Sequence, residues 1–310
     1  MSLTRIISAI AVLGVVATLL MGLAGRVSAD LDIAAHLMGH ALVMLPFAAF
    51  ALWRDRRAPL VLAAGVVCGT ALPALLSLGR VDRLAPRTDA RPSVRILSIN
   101  TWHRHRDHDR LVAAIERHDA DVVLLYEFGP DKLPLLARLE AGYPHRVGCP
   151  EEWRCAVVML SRGPLIDAGR TPGERGTRPP LVWGQLTGGV TVIGTHIERP
   201  LDAPDGHVTE LRWVARFARR QTQPVVVAGD FNTTPWAASF RLFAAESGLN
   251  HMGRFLPSWP AGRLFVPQIA IDHAWASPDL VFEQLALGED VGSDHLPLVF
   301  DVRRVDEGDR

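Results

Sequence analysis

The chain has 310 residues, enough for one large or two ordinary domains, and its 33 basic residues balance its 33 acidic ones. A net formal charge of zero excludes a protein that holds nucleic acid through a global positive field. Lys132 is the sole lysine, so arginine carries the cationic charge, which fits phosphate recognition and coding bias alike.

Hydrophobic residues make up 48% of the chain and crowd its N-terminus in three apolar runs, 6–24, 33–53 and 60–79. Each is long enough to cross a hydrocarbon core that needs about 20 residues, and three in succession are unlike a cleaved signal peptide. Residues 1–80 read as a membrane domain with three transmembrane helices. Arg5 precedes the first run and Arg54, Arg56 and Arg57 follow the second, whereas Arg26, Asp30 and Asp32 lie between the first two. The positive-inside tendency puts the N-terminus and second loop in the cytoplasm and everything past Arg80 outside it, although Arg80, Arg83 and Arg87 pull the other way. The expected location is a bacterial inner membrane, crossed several times, with an extracytoplasmic domain beyond. Asp32, His36 and His40 share a helix face at the head of the second run; Asp32 suits the interface, and interhelical hydrogen bonds account for the histidines more simply than a metal or proton path.

Residues 81–92 are polar and proline-bearing, as a linker is. Beyond them strand-like and helix-like segments interleave. Strands are expected at 93–99, 121–127, 155–161, 181–186, 190–196, 225–230, 269–277, 280–287 and 295–302, and helices at 108–118, 131–141, 207–220 and 235–248. Cys149 and Cys155 bracket the loop CPEEWRC and read either as a loop-closing disulfide, which would place the domain in an oxidising compartment, or as two unrelated thiols. Many strands with few helices between them imply an α+β domain: two packed mixed sheets with helices outside, a four-layer sandwich over 93–303, followed by a polar tail, 304–310.

The strands end in polar residues. ILSIN closes on Asn100, VVLLYE on Glu127, TVIGTH on His196 and VVVAGD on Asp230, with Asn232 beyond; IAID supplies Asp272 and GSDHLP supplies Asp294 and His295. In VVVAGDFN, Asp230 and Asn232 are one residue apart and point to the same side of an extended chain. Taken alone they would do no more than open a turn. If the strands share one sandwich, the whole set gathers on one rim, and oxygen ligands with few thiolates select Mg²⁺ or Mn²⁺ over zinc.

The ordered set Asn100, Glu127, Thr195-His196, Gly229-Asp230-Phe231-Asn232, Ile271-Asp272-His273 and Ser293-Asp294-His295 resembles the endonuclease/exonuclease/phosphatase superfamily, from about Val94 to Val302. GDFN and SDHLP are its specific pieces. One departure is Tyr126, where many members place glutamine before the metal-binding glutamate. The resemblance implies a membrane-anchored, Mg²⁺-dependent hydrolase of phosphoester bonds. Glu127 and Asp294 would be metal ligands with Asn100 beside them as ligand or phosphate contact. His295 would be general base or phosphate-stabilising cation held by Asp272, Asp230 would orient water or bind metal, Asn232 would bond the phosphate and His196 would donate to a nonbridging oxygen. The substrate would be a lipid headgroup, a nucleic acid or a small phosphoester, with the membrane as the other partner and no protein partner expected. The competing reading is an inactive module on the same fold that binds a ligand beside the membrane.

Three further features carry two readings each. TWHRHRDHDR (101–110) is a solvated loop or a phosphate grip; Trp236 walls the pocket or staples the next helix; His207 is a cap or surface residue.

Overall fold

The computed structural model describes residues 3–53, 57–77, 84–85, 93–148, 156–263 and 266–305. Cys149 and Cys155 lie outside these residues, as do most of the linker and the tail past Val305. The apolar runs form α1 (Leu3–Ala24), a short α2 (Ala29–Asp32) that continues through a 3₁₀ turn (Ile33–Leu37) into α3 (Met38–Trp53), and α4 (Ala58–Ser77). Two helices, Leu3–Ala24 and Ala29–Trp53, are long and apolar enough to cross a membrane, where three were expected. In the third run the apolar stretch Ala58–Leu72 falls short of that length among the described residues.

Among the described residues, twelve strands and four α-helices follow. The first sheet has the order β11–β12–β1–β2–β4–β3, built from β1 (Val94–Asn100), β2 (Val122–Tyr126), β3 (His145–Val147), β4 (Val157–Ser161), β11 (Leu280–Leu287) and β12 (Leu298–Arg304). The second has the order β5–β6–β7–β8–β10–β9, from β5 (Leu165–Thr171), β6 (Leu181–Leu186), β7 (Thr191–His196), β8 (Val225–Asp230), β9 (Asn250–His251) and β10 (Asp272–Ala276). Both are mixed: β1–β2 and β7–β8 are parallel, and the other pairs are antiparallel. Helices α5 (His108–His118) and α6 (Leu133–Leu139) cover the first sheet, and α7 (Pro204–Arg219) and α8 (Ala238–Ser247) the second. This is the expected four-layer sandwich.

Its central core is the inter-sheet layer, where Ile96, Leu124, Met159, Val192, Val226 and Phe300 meet. Side chains of that size stabilise the fold by about 1.5–3 kcal/mol each when fully buried. The central strands read as unbroken apolar runs because both faces are covered; every residue of β2, β4, β8 and β10 is buried. The parallel pairs need crossovers, which α5 and α7 supply, so β1 and β2 finish on one rim, as do β7 and β8. Antiparallel β10 and β12 begin where those strands end, since Asp272 pairs with Asp230 and Leu298 with Ser98. Strand ends and strand starts thereby share one rim.

Candidate active site

Each polar residue reaches the rim by its strand register. Asn100 closes β1 and pairs with Tyr126, which places Glu127 one step beyond on β2. His196 and Asp230 are register partners on β7 and β8, and Asp230 also faces Asp272. Gly229 permits this closeness, because a Cβ there would collide with the backbone oxygen of Thr195. Glu127 and Asn232 adopt left-handed backbone, at φ 51° and 47°, a conformation uncommon outside glycine that aims a side chain off the strand line.

All eight expected side chains meet in one place. Asn100 Nδ2 donates to Glu127 Oε1 at 3.2 Å and to Asp230 Oδ2 at 3.0 Å, tying the two sheets together. His196 Nε2 lies 3.5 Å from Asp230 Oδ2 and 4.0 Å from Glu127 Oε1. Buried His295 contacts Asp272 Oδ2 through Nδ1 at 2.8 Å and points Nε2 at Asp230 Oδ2, 3.7 Å away. Asp272 in turn accepts from Ser258 Oγ. Glu127, Asp230, Asn232, Asp294 and His295 line a cleft of about 390 Å³, and His196 lines the adjoining one with Glu127. Two details differ from the expected roles. The Asn100 oxygen accepts from Trp102 N at 2.9 Å, so its nitrogen faces the carboxylates. Asn232 Nδ2 donates to the Ile197 carbonyl at 3.0 Å.

The charges are set by this packing. Burial opposes ionisation of Glu127, yet His196 and two hydrogen bonds from His103 outweigh it and bring the carboxyl down to about 2. Burial also works against a charged His295, but Asp272 and Asp230 overcome it and raise the imidazole pKa. Burial raises the Asp230 carboxyl, with His295 opposing and Asp272 adding to the shift. A protonated imidazole between two carboxylates is a proton-holding arrangement, so Asp230, Asp272 and His295, close as their ligand atoms are, do not need a metal to be satisfied.

The donors on the open side do suit a hard divalent cation. Glu127 is held ionised, and Asp294 has one oxygen, Oδ2, accepting from Trp259 Nε1 at 3.3 Å while Oδ1 is buried without a partner. An orphaned buried carboxylate oxygen is costly unless a cation meets it.

Several residues of the site carried no decisive sequence signal. His103 contacts Glu127 Oε2 through both its backbone N and its ring, so part of the 101–110 loop belongs to the site. Ser258 and Trp259 support Asp272 and Asp294 from a loop without periodicity. Tyr126 is fully buried, accepts from Ser98 Oγ at 3.1 Å and donates to the Ala228 carbonyl at 3.0 Å, bridging the sheets behind the site. His207, expected as a cap or surface residue, is buried and bonds the Glu198 carbonyl.

The helices beside the membrane-length runs also reach the site. Asp32 caps α8: Oδ1 accepts from Ala238 N at 2.6 Å and Oδ2 from Ser239 N at 2.9 Å. His36 Nε2 donates to the Asn232 carbonyl at 3.1 Å. His36 bonds the sandwich where an interhelical hydrogen bond was expected of it, and Asp32, expected at the interface, bonds the sandwich as well. Trp236 takes neither of the places considered for it: it packs against α3 at Gly39, where a Cβ would lie 3.2 Å from its Nε1, and against Phe255 at 5.9 Å between ring centroids, and it does not line the cleft.

Comparison with known proteins agrees with this geometry. The model of the Endonuclease/Exonuclease/phosphatase family matches residues 97–295. No curated protein matches the chain. Among solved structures, an endonuclease/exonuclease/phosphatase from Beutenbergia cavernae DSM 12333 is 23% identical at a TM-score of 0.52, covering 69% of this chain and 72% of that one. Sphingomyelinase C from Streptomyces griseocarneus is 17% identical at 0.51, over 68% of this chain and 99% of its own. D. rerio TDP2 complexed with single strand DNA product is 17% identical at 0.54, over 68% and 99%. With the family model spanning most of the sandwich and the rim residues gathered in one cleft, the chain belongs to the endonuclease/exonuclease/phosphatase family.

Proposed function

We propose that the protein is a membrane-anchored, Mg²⁺-dependent hydrolase of phosphoester bonds. The observation that carries the reading is the single cleft in which Glu127, Asp294 and Asp230 face the buried His295–Asp272 pair. Glu127 and the unpartnered oxygen of Asp294 would hold the cation, Mg²⁺ or Mn²⁺, which when bound neutralises charge on the phosphoryl oxygens. Asn100 keeps the Glu127 and Asp230 carboxylates in place. Asp230, within reach of His196 and His295, orients the attacking water and receives its proton. The water oxygen forms a bond to phosphorus as the ester P–O bond breaks, and the departing oxygen takes a proton from solvent water while Asp230 releases the one it received. His295, kept cationic and oriented by Asp272, stabilises the phosphoryl charge, and His196 donates to a nonbridging oxygen. The Asn232 amide is engaged with Ile197, so its part is to shape the floor of the cleft.

The anchor reading rests on α1 and on the run from α2 through α3, both of membrane-crossing length and apolarity. Asp32 and His36, at the head of the second run, bond the sandwich, so this end lies on the same side of the membrane as the catalytic domain; that topology needs α4 (Ala58–Ser77) to cross as well, as the loop charges imply for an extracytoplasmic domain. In the full-length protein, Mg²⁺-dependent hydrolysis of bis(p-nitrophenyl) phosphate is expected, with His295→Ala lowering kcat by about 10²–10⁴-fold, the usual size of a proton-transfer or charge contribution. Unchanged turnover in that variant would defeat the assignment.

A further inference from the structure

The cleft that holds the His295–Asp272 pair is not built by the sandwich alone. Ile33, His36 and Leu37, from the connector between α1 and α3, line it together with the catalytic carboxylates. Asp32 and His36 clamp that connector through the three hydrogen bonds to α8 and Asn232. Leu201, Ile269 and Ile271 line the same cleft, so aliphatic side chains make up much of its wall beside Arg199 and the carboxylates. Leu37 is 47% exposed and Leu201 78% exposed, at its mouth. The other side of the site differs in kind. Past Glu127 and His196 the adjoining cleft is lined by Arg175, Arg178, Glu174 and Glu198. The site therefore adjoins aliphatic side chains in one cleft and charged ones in the other, with Arg199 common to both, and the aliphatic set includes Ile33 and Leu37 from the head of the second helical run of membrane-crossing length.

We propose that the connector forms a binding subsite for the apolar part of a membrane-resident amphiphile. It lays Ile33 and Leu37 along the substrate's chain-bearing side, while the polar group across the scissile phosphate lies toward Arg175 and Arg178. This rests on the phosphoesterase reading and narrows it to a lipid phosphoester. A water-soluble ester or a nucleic acid would leave Leu37 and Leu201 facing water and would have no use for a connector clamped at three points. A lipid leaving the bilayer beside α1 and α3 meets these side chains first.

The test uses the full-length protein in nanodiscs of phosphatidylglycerol with Mg²⁺. kcat/KM is measured for the disc lipid, for bis(p-nitrophenyl) phosphate and for a single-stranded DNA oligonucleotide. A second readout needs no turnover: quenching of Trp259, which lines the same cleft, by phosphatidylglycerol brominated on its acyl chains, taken as the difference from Trp259→Phe in a His295→Ala background. Leu37→Asn, at an exposed position, and Ile33→Asn are each expected to lower the ratio of lipid to soluble-ester kcat/KM by about tenfold or more, the scale of discrimination that apolar pocket contacts supply, and to remove the Trp259 quenching. A ratio and a quenching signal that ignore both substitutions would overturn the subsite while soluble-ester hydrolysis leaves the enzyme reading intact. Preference for DNA would overturn it equally. Connector-dependent quenching in a protein that hydrolyses none of the three would keep the lipid subsite and remove the phosphoesterase reading.

Discussion

Tyr126 shows what a single buried hydroxyl does in a two-sheet fold. Its bonds to Ser98 and Ala228 cross the inter-sheet layer directly behind Glu127. Tyr126→Phe leaves the Ala228 carbonyl without that donor in a dry interior, and a loss of about 1–3 kcal/mol is expected from the denaturant midpoint. Gly229→Ala is a sharper test of the rim. The added methyl meets the Thr195 backbone, so β7 and β8 must part just where His196 faces Asp230. Overpacking of this kind costs about 1–3 kcal/mol, and hydrolysis should fall further than the stability loss explains. The residues gathered at the rim were legible in the sequence because strands end in them; Ser258, Trp259 and His103, which hold those residues, sit in loops where neither period nor spacing marks them. Tyr126 stood out only as a departure from the family's glutamine, and the structure supplies its reason.

At the scale of elements, α8 takes its N-terminal cap from elsewhere. Its own preceding residue, Ala237, has no side chain to offer, and Asp32 supplies both oxygens from α2. Carboxylates at a helix start satisfy free N–H groups and oppose the helix dipole. Asp32→Ala is therefore expected to destabilise the protein by about 1 kcal/mol and to raise amide hydrogen exchange in the first turn of α8, with an unchanged exchange pattern counting against the cap. The central strands and the amphipathic α5 were readable from apolar runs and helical spacing. The edge strands β3, β5 and β9 were not: β3 and β9 have three and two residues, and β5, seven residues long, leaves every side chain exposed or half-buried, so no alternation betrays it. The start of α7 moved from His207 to Pro204, the first helical turn being where proline fits.

For the whole molecule, pH and metal give the broadest tests. Burial pushes three imidazoles far below their usual range: His207 and His251 to about 4 and His273 to about 3. In the unfolded chain they titrate near about 6.5, so between those values the unfolded state binds more protons. Their stabilisation is complete above about pH 6.5 and is lost as pH falls toward 4 and 3. Melting temperature should drop steeply over that window, and His251→Gln, which removes the 3.1 Å contact with His273, should flatten the drop. Mg²⁺ should raise the melting temperature of the intact protein through linkage, and Glu127→Gln should abolish the gain; a gain that survives the substitution places the cation elsewhere. The clasp between Asp32 and α8 joins positions 206 residues apart along the chain. The ribosome makes α2 first, so the half-sandwich containing α8 is completed against a partner that already exists. Formation of the N-terminal helices and closure of the sandwich thus become successive stages of one assembly, and a fragment begun at Val94 would have to finish its last helix with nothing to receive it.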